Sequence, residues 1–281
     1  MAIPLRLSAH IIIVFLSCLA SHRRSAFVSA WSTTTTTKSF LFRKTQSFPG
    51  RLSSVSTNGA AMTDSPPPSR VLFVGNSLTY VNNVDQWVQK LRESSDVAGS
   101  SPALEIAKCV KGGASLKNLW QKTKAKREIA EGGFDVVVLQ EDLPETTVEL
   151  FENFCRKFVL AVRDANATPL LHQTWAYRRL PDVTNEDIRR AHLNISEELG
   201  VEIADVGSAR IQVAQEMPHL NLWESDMEHP SEVGAYLAGL VLYRALFKEP
   251  TLGIAHRPEG LKEKDATLLQ MIVDKVDSEN E

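Results

Sequence analysis

Five short apolar runs alternate with stretches of helical periodicity along this chain, and that alternation restricts the folds open to it. The strand-like runs fall at 70–75, 103–110, 134–140, 169–174 and 201–206. Val136-Val137-Val138-Leu139 is apolar at every position, as a strand must be when both of its faces are covered. Between the runs, Val84, Trp87, Val88 and Leu91 recur at helical spacing and form one apolar stripe. Further helices are expected near 116–130, 148–165, 185–199 and 231–247. Strands separated by helices imply a parallel sheet between two helix layers, joined by right-handed crossovers. The expected class is α/β: a three-layer α/β/α sandwich on a five-stranded parallel sheet, with the flavodoxin-like order 2-1-3-4-5 as the simplest choice. There are no internal repeats and no sign of a second domain.

The strand pattern starts only near residue 70, and the sequence before it has a different character. Seven of the 31 basic residues and none of the 34 acidic ones lie in positions 1–63. The remainder holds 24 basic against 34 acidic side chains, a net charge of −10. An acidic body argues against nucleic acid as the partner. Residues 1–20 read as a signal-like segment: His10 to Ala20 form a short apolar core behind Arg6, too short for a comfortable membrane span. Residues 21–69 form a Ser/Thr/Arg-rich transit or linker segment, closed by Ser65-Pro66-Pro67-Pro68-Ser69. Signal followed by transit resembles the bipartite presequences of algae with complex plastids, and Ser25-Ala26-Phe27-Val28 is similar to their cleavage motif. A plastid protein and a secreted one with a Ser/Thr linker are both expected fates. Use of Met62 as a start would give a cytosolic form. The domain is expected to span 70–255, with 256–281 as a tail that is helical or irregular. Cys109 and Cys155, the two cysteines of the body, make no disulfide framework and are expected to be buried.

Where the first strand stops, the chain reads Gly75-Asn76-Ser77-Leu78-Thr79. A strand that ends on small turn-forming residues and feeds a helix leaves its serine at the C-terminal edge of the sheet, where open α/β sheets build their sites. A nucleophilic serine needs a histidine to take its proton and an acid to orient that histidine. Asp226-Met227-Glu228-His229-Pro230-Ser231 offers both within one loop. His219 is the competing base and Glu228 the competing acid. The bland reading is a turn and two helix caps, which Gly, Asn, Pro and Ser all favour. The strand ends bring Ser77, Gly112-Gly113, Gln140-Glu141 and Trp175–Tyr177 to one edge, and this convergence outweighs any single motif.

Together, Gly75-Asn76-Ser77-Leu78-Thr79 and Asp226-x-x-His229-Pro230 resemble the blocks of the SGNH/GDSL hydrolase superfamily, over roughly Arg70 to Lys248. The resemblance implies the flavodoxin-like fold and a serine esterase that works through an acyl-enzyme. Ser77 would be the nucleophile, His229 the base and Asp226 its orienting acid. The Ser77 N–H and the Gly113 N–H, with Gly112 nearly as good, would hold the oxyanion. The family's Gly-x-Asn-Asp block is replaced by Gln140-Glu141, so Gln140 is assigned the third oxyanion donor. Tyr80, Asn83, Trp175 and Tyr177 are the expected pocket residues, with Asn82 and Arg178 beside them. The resemblance implies no metal and no organic cofactor. The expected partner is a small-molecule or carbohydrate ester, such as an O-acetyl or other short acyl ester, with no membrane span in the mature form. An acyltransferase with the same triad and an inactive binding protein on the same fold are the alternatives.

Overall fold

The computed structural model describes residues 66–95 and 103–280. The signal-like segment, nearly all of the transit segment and Met62 lie outside the described residues.

The five strands are β1 (Arg70–Gly75), β2 (Glu105–Val110), β3 (Val136–Gln140), β4 (Thr168–Gln173) and β5 (Glu202–Asp205). They form one sheet in the order β2-β1-β3-β4-β5, every neighbouring pair parallel. This is the expected α/β sandwich and strand order. β1 shows why both faces are covered. Val71 and Phe73 enter one apolar core, while Leu72 and Val74 enter the other. All four are essentially inaccessible to water. Burying such side chains stabilises by roughly 1.5–3 kcal/mol each.

One face carries α3 (Leu116–Lys122), α4 (Ala125–Gly132), α5 (Val148–Asp164) and α6 (Asn185–Leu199). α6 opens on a capping box between Thr184 and Asp187 and closes on Gly200 at φ +59°. The other face carries α2 (Val84–Ser94), α7 (Val206–Glu216), α8 (Glu232–Phe247) and α9 (Glu263–Asn280). A four-residue helix, α1 (Ser77–Tyr80), follows β1 directly. α8 is apolar on nearly all sides because the sheet, α2, α7 and α9 surround it.

Three elements differ from expectation. The helix expected over 116–130 breaks in two at Thr123. Its hydroxyl donates back to Leu119 O and accepts from Ala125 N at 3.2 Å, ending α3 and starting α4. α7 was not anticipated; it follows β5 without a loop and is capped by Asp205, which accepts from Ser208 N at 2.8 Å. The tail from 256 carries a helix, as one of the two expected readings had it, but α9 buries Leu269, Ile272 and Val273 in the core, so the folded unit continues past 255. No helix among the described residues is long and apolar enough to cross a membrane.

Candidate active site

Ser77 sits at the first position of α1, directly beyond the C-terminal end of β1, and is 8% exposed. The turn that holds it is built by its neighbours. Asn76 caps the helix by accepting from Leu78 N at 2.9 Å, and its own amide nitrogen is buried without a partner. Gln140, at the end of β3, reaches under the turn. Its Oε1 accepts from Asn76 N at 2.7 Å and from Thr79 Oγ1 at 3.2 Å. Its Nε2 donates to Glu141 O at 2.8 Å. Gly75 makes room for this approach, since a Cβ there would stand 2.6 Å from Gln140 Oε1. Gln140 is 1% exposed. Gln140, expected as the third oxyanion donor, thus braces the nucleophile turn from inside.

Asp226 and His229 share one loop, as expected. The His229 Nδ1 and Asp226 Oδ2 atoms stand 2.7 Å apart, and Asp226 Oδ1 accepts the amides of Glu228 and His229, both at 2.9 Å. Met227 takes φ +59° to close this turn. The small burial cost of the Asp226 carboxyl is outweighed by bonds from the His229 ring and the two amides, which hold it down at about 2. His229 Nε2 is buried and carries no hydrogen bond, so the bond from Ser77 is not formed. Such bonds are often long before substrate binds and tighten in the complex. Glu228 Oε1 stands 3.9 Å from Nε2, and its carboxylate is paired with Arg179, which also pairs with Glu145. His219 Nε2 meets Asp265 at 3.3 Å. Of the three acid–histidine pairs in this region, Asp226 with His229 is the closest.

The loop is tied to the sheet edge from several sides. Asn82, two residues past α1 and at φ +52°, donates to Pro230 O and to Glu224 Oε1, both at 2.7 Å. Trp175 Nε1 donates to Glu228 O at 3.0 Å, and Arg178 N donates to Met227 O at 3.0 Å. Trp175 and Tyr177, expected to line the pocket or to pack under the loop, are 1% and 2% exposed. Each buries its ring and spends its polar tip inside: Tyr177 Oη donates to Asp142 Oδ1 at 2.6 Å. Tyr80 is exposed, and its hydroxyl lies over Gly112. Asn83 is exposed at the cap of α2 with φ +59°. Gly112 and Gly113 are exposed in the turn after β2, with Gly113 at φ +59°, a conformation that favours glycine. Lys111 N donates to Gly75 O at 3.1 Å and joins that turn to the nucleophile strand.

Sequence reasoning missed the buried acids behind the edge. Glu141 accepts from Leu116 N at 3.1 Å and from Asp142 N at 2.7 Å. Burial pushes its carboxyl up to about 7 against these bonds, helped by the Asp142 charge. Burial also raises the Asp142 carboxyl, although the Tyr177 hydroxyl stabilises its charge. Consecutive acids at a strand end were visible in the sequence; their burial was not. Among the described residues, no group of three or more His, Cys, Asp or Glu is placed to hold a metal ion.

No family model matches the sequence, and no curated protein matches it. Solved structures do. A protein from Slackia heliotrinireducens titled "a putative SGNH hydrolase" is 28% identical, with a TM-score of 0.52 over 62% of this chain and 97% of that one. The chain belongs to the SGNH hydrolase superfamily. The same SGNH fold is shared with a DUF4886 family protein from Bacteroides uniformis, at 20% identity and a TM-score of 0.60 over 74% of this chain and 94% of that one. It is shared too with an acetyl xylan esterase, AlAXEase, at 16% identity and a TM-score of 0.52 over 63% of this chain and all of that one.

Proposed function

We propose that this SGNH hydrolase cleaves a carboxylic ester through an acyl-enzyme on Ser77. The observation that carries the reading is the Asp226–His229 pair at 2.7 Å, with Nε2 free of other bonds, on a loop fastened to the turn that follows the helix bearing Ser77. Ser77 Oγ attacks the carbonyl carbon while His229 Nε2 takes its proton. Asp226 holds the Nδ1–H tautomer and stabilises the imidazolium. The Ser77 and Gly113 amides donate to the oxyanion. Collapse of the tetrahedral species breaks the C–O bond, and His229 returns the proton to the leaving alcohol. Water, activated by the same histidine, then releases the acid and restores Ser77.

The fold neighbours include a protein titled acetyl xylan esterase, which favours a short acyl group on a carbohydrate or other small alcohol as the substrate class. The test is hydrolysis of p-nitrophenyl acetate by residues 64–281, with Ser77→Ala beside it and a fluorophosphonate to label Ser77. Equal turnover by the two proteins would sink the esterase reading. Two observations keep an inactive binding protein as the second reading: the unformed Ser77–His229 bond and the inward use of Gln140. Absence of fluorophosphonate labelling would favour it. An acyltransferase differs only in letting an alcohol replace water, and product analysis with added alcohols separates the two. For the leader, we propose entry into the secretory pathway, with a plastid or extracellular destination read by fusing residues 1–63 to a fluorescent protein.

A further inference from the structure

The proposed base has an acid beside each of its ring nitrogens. Asp226 Oδ2 stands 2.7 Å from Nδ1, and Glu228 Oε1 stands 3.9 Å from Nε2, beyond hydrogen-bond range. The two acids do not bear on the reaction alike. Nδ1–H has only to stay where it is, whereas Nε2 must offer a lone pair to the serine proton. A bare carboxylate this close to Nε2 favours the imidazolium, which has no lone pair left to offer.

The main chain of Glu228 is fixed. Its N–H donates to Asp226 Oδ1 at 2.9 Å, and its carbonyl accepts from Trp175 Nε1 at 3.0 Å. Its side chain is held by Arg179, whose Nε donates to Oε2 at 2.5 Å. Arg179 is held in turn. Its Nη2 donates to Glu145, and its Cζ stands 5.1 Å from the centre of the Tyr177 ring. That ring is 2% exposed and its hydroxyl is bonded to Asp142, so it is a fixed platform for the guanidinium. Ion pairs as exposed as these contribute little to stability. What Arg179 changes is where the Glu228 carboxylate stands and how much of its charge reaches Nε2.

We propose that Arg179 is a positioning residue for the base: it holds the Glu228 carboxylate off His229 Nε2 and offsets its charge, so that this nitrogen stays free for the serine proton. Resting on the esterase reading, the inference adds to the reaction a side chain that touches neither substrate nor the reacting atoms. Without Arg179 the Glu228 side chain can turn, close the remaining gap and hold a proton on Nε2 in a charge-assisted hydrogen bond. The histidine would then enter the reaction already protonated, and Ser77 would lack its base.

The test is a cycle of Arg179→Met, Glu228→Gln and the double variant in the full chain, assayed on p-nitrophenyl acetate at neutral pH. Arg179→Met is expected to lower kcat/KM about tenfold or more. The double variant should recover to within about threefold of Glu228→Gln, because an amide carries no charge to hold a proton on Nε2. Glu145→Gln breaks the tie to the loop after β3 but leaves Arg179 on Glu228, and should stay within about threefold of the parent. A parental rate in Arg179→Met, no recovery in the double variant, or a loss of about tenfold in Glu145→Gln would each overturn the proposal and leave Arg179 as a clip between loops. If Arg179→Met fails to fold, Arg179→Lys takes its place: the kept charge should keep the rate, and a loss of about tenfold there would overturn the proposal. Proton NMR needs no turnover. A second hydrogen-bonded ring N–H of His229, beside the one shared with Asp226, is expected in Arg179→Met and not in the double variant; its absence from both overturns the proposal. Failure of the esterase reading shows separately, as a parent protein that neither turns over the ester nor is labelled at Ser77 by the fluorophosphonate.

Discussion

Asn82 donates to the carbonyl of Pro230 at 2.7 Å, joining the turn that follows the proposed nucleophile to the loop that carries the proposed base. The same amide nitrogen reaches Glu224 at the other side of that loop. One side chain therefore sets the spacing of two segments about 150 residues apart in the chain. Asn82→Ala is expected to lower kcat by roughly 10²-fold with little change in KM, because a misplacement of about 1 Å at a reacting pair costs that much. Steady-state kinetics on p-nitrophenyl acetate check this. A variant with unaltered kcat would show that the loop is held without Asn82.

Asp226 is half-exposed and already ionised well below the pH of any ordinary assay. Its expected contribution is to orientation and charge, not to the fold. Asp226→Asn should reduce kcat by up to about 10⁴-fold, since an amide favours the wrong histidine tautomer. The melting temperature at neutral pH should barely move. A large loss of stability with modest loss of rate would reverse this assignment.

Gly75 and Gln140 meet at the nucleophile turn. Gly75→Ala places a methyl 2.6 Å from both Gln140 Oε1 and Thr79 Oγ1 and should destabilise the fold by about 1–3 kcal/mol. Gln140→Ala leaves the buried Asn76 N–H without its acceptor and should cost about 1–3 kcal/mol. The double variant should cost less than the sum, since the methyl then occupies vacated space. Denaturant unfolding of the four proteins measures the coupling, and strict additivity would contradict the contact.

Two histidines lie entirely inside the protein. Burial, with a small push from His192, lowers His172 to about 3, and neither of its ring nitrogens has a partner. Burial lowers His192 to about 4 despite its bond to Ile188 O. An unfolded chain takes up these two protons near pH 6.5, while the native one stays neutral until far lower pH. Stability is therefore present above about 6.5 and lost as pH falls toward 4, by up to about 1.4 kcal/mol per pH unit for each histidine. Glu141 works in the opposite sense. Its native carboxyl titrates near 7 against an ordinary 4.5, so it binds an extra proton in that window and offsets one of the two. His172→Leu should raise the melting temperature more at about pH 5 than at about pH 7.5. A gain independent of pH would refute the assignment.

The sheet was legible because its strands are runs of apolar, largely β-branched residues between helices, and the strand order was the simplest for that alternation and the one the resemblance implies. α7 was not legible: its buried side carries Gly207 and Arg210 while Ile211 and Ala214 lie on the exposed side, so no apolar stripe shows in the sequence. At the candidate site, the residue types could be read and their directions could not. Gln140 is polar at a strand end whether its amide faces a ligand or the turn, and only the space left by Gly75 decides between them. Trp175 and Tyr177 likewise carry polar tips that reach inward partners, Glu228 O and Asp142. Arg179 gave no sequence signal at all, because nothing local marks an arginine that two distant acids, Glu145 and Glu228, hold in place.

Helix α9 packs on α7 and α8, and its Gln270 donates to the Tyr236 hydroxyl at 3.1 Å inside that contact. α8 is the most apolar helix of the fold and sits against the sheet. During synthesis, the ribosome exposes α8 before the residues that cover it. The greasy side of α8 stays open until residues 263–280 emerge, so native folding is completed after translation of this segment and a nascent chain halted near residue 255 would be a natural client for chaperones.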